Sequence, residues 1–166
     1  MIILGIDPGI GKVGWAAIED KSGKQEKIAY GLFETDSKTD LEERLSQIYD
    51  FITELIQKFT PEVLAIEQLY FAANSKTALI VGEARGVILL AAAKAHLPID
   101  SYTPLQVKQA LTGFGQASKN QIQTMVGAIL HLKEKVVQDD AADALAIAIT
   151  HAFSYKLRRI SAYKLK

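Results

Sequence analysis

Residues 2–19 decide the fold: Ile2–Asp7 reads IILGID, Pro8-Gly9 follows, and 13–19 reads VGWAAIE. Two apolar runs too short for helices are separated by a turn. Pro presets φ for that turn, and Gly tolerates the positive φ that many turns require. Working outward, residues 21–24 form a polar turn around Ser22-Gly23, and 27–35 reads as a third strand. The opening is therefore a three-strand antiparallel meander.

Beyond it the period changes. Thr39-Asp40-Leu41-Glu42 has the form of a capping box, with Thr39 at the N-cap and Glu42 three residues on. Leu41, Leu45, Ile48, Ile52, Leu55, Ile56 and Phe59 then recur at three- and four-residue steps, the mark of an amphipathic helix stopped before Pro61. Residues 63–67 (VLAIE) make a short buried strand, 75–95 a helix, and 97–102 another strand. Helices follow at 106–111, 118–132 and 140–155. A meander followed by strands alternating with helices implies an α/β layer sandwich built on a mixed sheet. Its 166 residues suit one domain over 1–156, with a basic C-terminal tail at 157–166.

Composition excludes several classes. The chain has no cysteine, so a disulfide scaffold, a thiolate metal site and a cysteine nucleophile are ruled out. Glu83 and Arg85 interrupt the richest apolar stretch, short of the ~18 residues that span a bilayer. The first residues carry no basic region before their apolar run, unlike a signal peptide, so a cytoplasmic protein without a membrane partner is the expectation. Net charge is zero but divided. Residues 1–83 carry 8 basic and 14 acidic side chains, and residues 84–166 carry 11 and 5. Such asymmetry points to a polyanion.

Three of those five acids, Asp139, Asp140 and Asp143, are clustered. Asp7 and Glu67 each end an apolar strand, a costly position for a carboxylate unless it is paired or holds a cation. If the two strands are neighbours, both acids meet at one edge of the sheet. Asp140 and Asp143, three apart, share a helix face. Each acid also has a plainer reading: a turn cap for Asp7, a surface position for Glu67, a helix N-cap for Asp139 or Asp140. Taken together they form a hard, all-oxygen set suited to Mg²⁺ or Mn²⁺. Two such ions activate water and stabilise the leaving oxygen in phosphodiester cleavage.

Residues 3–18 (ILGIDPGIGKVGWAAI), 65–70 (AIEQLY), 82–86 (GEARG), 107–109 (VKQ) and 140–151 (DAADALAIAITH) closely resemble the RuvC Holliday-junction resolvases. The resemblance implies an RNase H-like fold and a Mg²⁺-dependent endonuclease, acting as a homodimer, that nicks two strands of a four-way DNA junction symmetrically. The family's four catalytic acids map onto Asp7, Glu67, Asp140 and Asp143. Lys108 and Lys119 map onto basic positions that serve DNA binding or catalysis near the scissile phosphate. Tyr70 matches an aromatic that stacks on junction bases, beside Phe71. Partners implied are the branch-migration proteins RuvA and RuvB.

Other readings compete. Gly9–Lys12 (GIGK) is similar to a phosphate-binding loop, but Ile6 and Val13 break the pattern and a strand follows where a helix is needed. A sugar-kinase-like ATPase opens similarly but needs two such domains. A nuclease acting on RNA and a non-catalytic junction-binding module remain alternatives. The helix at 75–95 has small residues at Ala78, Gly82 and Gly86, which suits either a dimer contact or close packing on its own sheet. His151 is read as a cap at the end of the acid-bearing helix.

Overall fold

The computed structural model describes residues 1–68, 75–134, 136 and 138–164, with the side chains of 75–77 and 156–164 left aside. Five strands and five helices follow one another as β1 (Ile2–Asp7), β2 (Lys12–Lys21), β3 (Lys24–Glu34), α1 (Leu41–Phe59), β4 (Val63–Glu67), α2 (Ser75–Lys94), β5 (Ile99–Tyr102), α3 (Pro104–Thr112), α4 (Lys119–Ile129) and α5 (Asp139–Lys164). The expected order of elements is found.

The sheet runs β3-β2-β1-β4-β5. The first three strands are antiparallel, and β4 and β5 are parallel to β1. Ser22 and Gly23 both take positive φ in the β2–β3 hairpin, as a two-residue turn matched to strand twist requires. Side chains alternate across each strand. Leu4, Ile6, Leu64 and Ile66 face α1 and α2, where Ile48, Ile52, Leu55, Ala84 and Ile88 complete one core. Ile3, Val63 and Ala65 face the opposite way, into a second core with α5, whose buried side is almost wholly small or aliphatic (Ala141, Ala144, Leu145, Ala148). The sheet is thus sandwiched between two helical layers. Among the described residues no helix is long and apolar enough to cross a membrane.

Two sequence expectations change. α1 starts at Leu41 with Asp40 as its N-cap, and no side chain caps it. Thr39 is drawn instead into a turn in which its N–H donates to the Asp36 carbonyl, so it sits one residue too early to cap. Capping boxes form where they were not anticipated, between Thr103 and Gln106 on α3 and between Ser118 and Gln121 on α4. The last helix continues past residue 155 to Lys164. His151 therefore lies inside a helix, not at its end. It is buried, with its Nδ1 2.9 Å from the Tyr102 hydroxyl and 3.4 Å from an Asp100 carboxylate oxygen, and it ties α5 to β5.

Candidate active site

Sheet register builds the first half of the site. β1 and β4 pair in parallel with Ile6 opposite Ile66, so the next residues, Asp7 and Glu67, leave the two strands side by side. By strand alternation both share the α5 face with Gly5 and Ala65. The turn after Asp7 is pinned: the Thr35 hydroxyl donates to the Ile10 carbonyl (2.5 Å), the Thr35 N–H donates to the Gly11 carbonyl (3.1 Å), and Arg44 Nε donates to Thr35 Oγ1 (2.9 Å). Strand β2 begins immediately after this turn at Lys12, so the GIGK segment lacks the helix end that would receive a phosphate.

Helix α5 supplies the second half. It approaches the sheet closely because Gly14 and Gly5 present no side chain beneath it. A Cβ on Gly14 would overlap the Asp140 carbonyl, and one on Gly5 would overlap the Ala144 carbonyl. Gly14 is the register partner of Asp7, so the first turn of α5 comes down directly beside that carboxyl.

The charges that converge are felt most by Asp7. Its pKa is pushed up to about 8, first by burial, then by the negative charges of Glu67, Asp143 and Asp140, with a hydrogen bond to Glu67 that favours the protonated form. Glu67 is raised by burial and by Asp143, while the hydrogen bond from Asp7 and the charge of Lys119 oppose the rise. Both shifts favour a protonated Asp7 beside Glu67. Asp143 is raised by burial, against the pull of Lys119, with Asp140 and Asp139 adding to the rise.

Lys119, the first residue of α4, stands 3.2 Å from Asp143 and 3.4 Å from Asp139. Burial works against its charge, but those acids more than offset this and its pKa is raised. Asp139 also accepts a hydrogen bond from Gln123 Nε2 at 2.7 Å. A cavity of about 270 Å³ opens beside these groups, lined by Glu67, Lys108, Lys119 and Asp143 over an apolar floor that includes Val107 and Ile122. The structure thus gathers Asp7, Glu67, Asp140, Asp143, Lys108 and Lys119 at one edge of the sheet. Tyr70 and Phe71 lie outside the described residues, as do the side chains of the basic tail.

Among the described residues no three carboxylate or imidazole groups already stand close enough together to hold a metal ion. The charge of the clustered acids is offset by Lys119, which pairs with Asp143 and Asp139. A hard divalent cation would also offset it, and the donor set of carboxylate oxygens fits one. Sequence reading missed Arg85 and Gly14. The available signals were a single arginine in the largely apolar middle of a helix and a glycine inside a strand, which marks close backbone approach.

A family model described as crossover junction endodeoxyribonuclease RuvC matches residues 3–151. The crossover junction endodeoxyribonuclease RuvC of Moorella thermoacetica is 53% identical over 152 residues, covering 92% of this chain and 91% of that protein. The RuvC of Halothermothrix orenii is 51% identical over 159 residues, covering 96% of each. Among solved structures, Thermus thermophilus RuvC in complex with Holliday junction substrate superposes with a TM-score of 0.91 at 38% identity, covering 95% of this chain and 96% of that one.

Proposed function

Because the chain belongs to the RuvC family of crossover junction endodeoxyribonucleases, we propose that it resolves four-way DNA junctions by hydrolysing two opposed phosphodiesters, with Asp7, Glu67, Asp140 and Asp143 as the catalytic acids. The observation that carries this reading is the adjacency of Asp7 and Glu67 across the β1–β4 ladder, beneath the acid-bearing turn of α5. The four acids would hold Mg²⁺, two ions per subunit, with Mn²⁺ an acceptable substitute. Bound Mg²⁺ supplies Lewis-acid activation of water and stabilisation of the leaving oxygen.

The residues of the chain do the rest. Asp7 and Glu67, side by side at the strand ends, would both serve as oxygen donors to such an ion. Lys119, 3.2 Å from Asp143, would set its ammonium toward charge developing on the phosphate. Lys108 holds the DNA backbone at the cavity rim, and Tyr70 stacks on a junction base. Apolar Val107 and Ile122 limit water beneath the reacting phosphate.

Symmetric nicking needs two sites facing one junction, which a two-fold homodimer provides. α2 supports that assignment. Its inner residues Ala84, Ile88, Ala91 and Ala92 are buried against the sheet and α1, whereas Leu79, Ile80 and Leu90 are exposed and a Cβ on Gly86 would meet nothing within 4 Å. The small residues therefore do not serve packing on the chain's own sheet at Gly86. RuvA and RuvB are the expected partners, and the cytoplasm the expected compartment.

The test is incubation with labelled four-way DNA, linear duplex and an RNA–DNA hybrid, each with Mg²⁺, Ca²⁺ or chelator. Paired nicks confined to the four-way DNA with Mg²⁺, and lost in Asp7→Asn while junction binding persists, are expected. Preferential cutting of linear duplex or hybrid, or full activity of Asp7→Asn, overturns the reading.

A further inference from the structure

Arg85 joins three elements at the back of the site. From the middle of α2 its Nε donates to the backbone carbonyl of Glu67 at 3.0 Å. Its Nη2 donates to Ser101 Oγ on β5 at 2.9 Å. Between residues 78 and 93 the only other charged side chain is Glu83, which is exposed. Arg85 is half-buried and turned toward the sheet, so its charge is not there for solubility.

The target matters. Arg85 binds the peptide oxygen of Glu67 and leaves its carboxylate oxygens to the site. Glu67 is the last residue of β4, with a ladder partner on one side in Tyr102. The peptide that follows it is held on its N–H side, where Gln68 N–H donates to the Tyr102 carbonyl at 2.8 Å, which leaves its carbonyl side to be fixed from outside the ladder. The planar guanidinium fixes it because its fork reaches two acceptors at once, and the second, Ser101, sits on the neighbouring strand. α2, β4 and β5 are thereby locked in mutual orientation at the residue whose carboxylate must meet Asp7.

We propose that Arg85 is a positioning residue for Glu67: it sets the direction of the Glu67 peptide, and through it the metal affinity of the acidic pocket. This rests on the reading of Glu67 as a metal-holding acid. Groups that orient a ligand without touching the ion cost roughly 10–100-fold in metal affinity when removed.

The variants are Arg85→Met, Arg85→Lys and Ser101→Ala. Each is titrated with Mg²⁺ by the metal-dependent rise in Tm, then by single-turnover junction cleavage, with junction affinity measured in Ca²⁺. Arg85→Met is expected to need about tenfold more Mg²⁺ for half-maximal stabilisation, with junction affinity within about twofold of the parent. Ser101→Ala, which removes one of the two anchors, falls between. Arg85→Lys, which keeps the cation but reaches one acceptor, recovers part of the loss. A Mg²⁺ titration of folded Arg85→Met that overlays the parent overturns the proposal. Should Arg85→Met not fold, an unshifted Arg85→Lys does so. A parent protein that binds Mg²⁺ yet cuts no junction defeats the proposed function and leaves the Arg85 comparison intact.

Discussion

Gly14 and Asp140 meet backbone to side-chain position: the strand residue opposite Asp7 has no Cβ, and the space where one would stand is taken by the Asp140 carbonyl. The glycine is therefore what lets α5 descend to the level of the strand-end acids. Gly14→Ala must lift the first turn of the helix or bend β2. Overpacking of this kind costs about 1–3 kcal/mol. Cleavage is expected to fall much further than stability, because Asp140 and Asp143 move with the helix. Urea unfolding together with junction cleavage tests this. A variant that loses stability and keeps the parental rate would show that the helix position is not limiting.

Removing the charge of Asp7 has an effect whose size depends on pH. In the folded chain its carboxyl holds a proton up to about pH 8. In the unfolded chain it releases that proton near pH 4. Between those values the folded state binds the extra proton, so stability falls as pH rises from about 4 to about 8. Asp7→Asn has no such proton to lose. In chelator its urea midpoint is expected to exceed the parent's at pH 8.5, with the difference shrinking toward pH 4. Added Mg²⁺ should raise the parent at pH 8.5 and leave the variant less affected. Equal midpoints across the range would mean the acids do not repel as the geometry indicates.

On the proposed function, Lys119 would compete with a metal for Asp143. Its ammonium is half exposed, 3.2 Å from that carboxylate. Lys119→Gln removes a positive charge from the pocket, so Mg²⁺ affinity is expected to rise. Cleavage at saturating Mg²⁺ is expected to fall on the order of 10²-fold, the usual loss when a transition-state donor is removed. Opposed changes in binding and turnover distinguish this role from an ordinary surface ion pair, whose loss would leave both within about twofold.

The outer face of α2 gives a test of assembly. Leu79 and Leu90 are 65% and 53% exposed, on the side where Gly86 opens to solvent. Replacing both with Glu adds like charges to the face proposed as the subunit contact while leaving the buried Ala84–Ile88 side alone. Sedimentation velocity at micromolar protein should change from dimer to monomer with an unchanged circular dichroism spectrum. A dimer that persists places the subunit contact elsewhere.

Much of this architecture is legible in the sequence, and the reasons are local. Asp7 and Glu67 stand out because each closes an apolar strand, and their meeting follows once β1 and β4 are paired in parallel. Asp140 and Asp143 stand out by helical spacing. Lys108 and Lys119 are not visible that way, since isolated lysines on helices are ordinary, and only the family resemblance singled them out. The α1 cap was misread because Thr39 and Asp40 both suit an N-cap, and the choice between them was made by the preceding turn at Asp36. Arg85 was passed over because its acceptors are a backbone carbonyl 18 residues upstream and a serine 16 downstream. No local pattern encodes either.

The four acids are spread from position 7 to position 143, and the last two belong to the final helix to join the sheet. During synthesis the ribosome delivers Asp7 and Glu67 long before their counterparts. A half-made chain can pair its strands, yet it holds only half of the acidic pocket. On the proposed assignment of the four acids, a chain whose synthesis has not reached α5 carries no cleaving site.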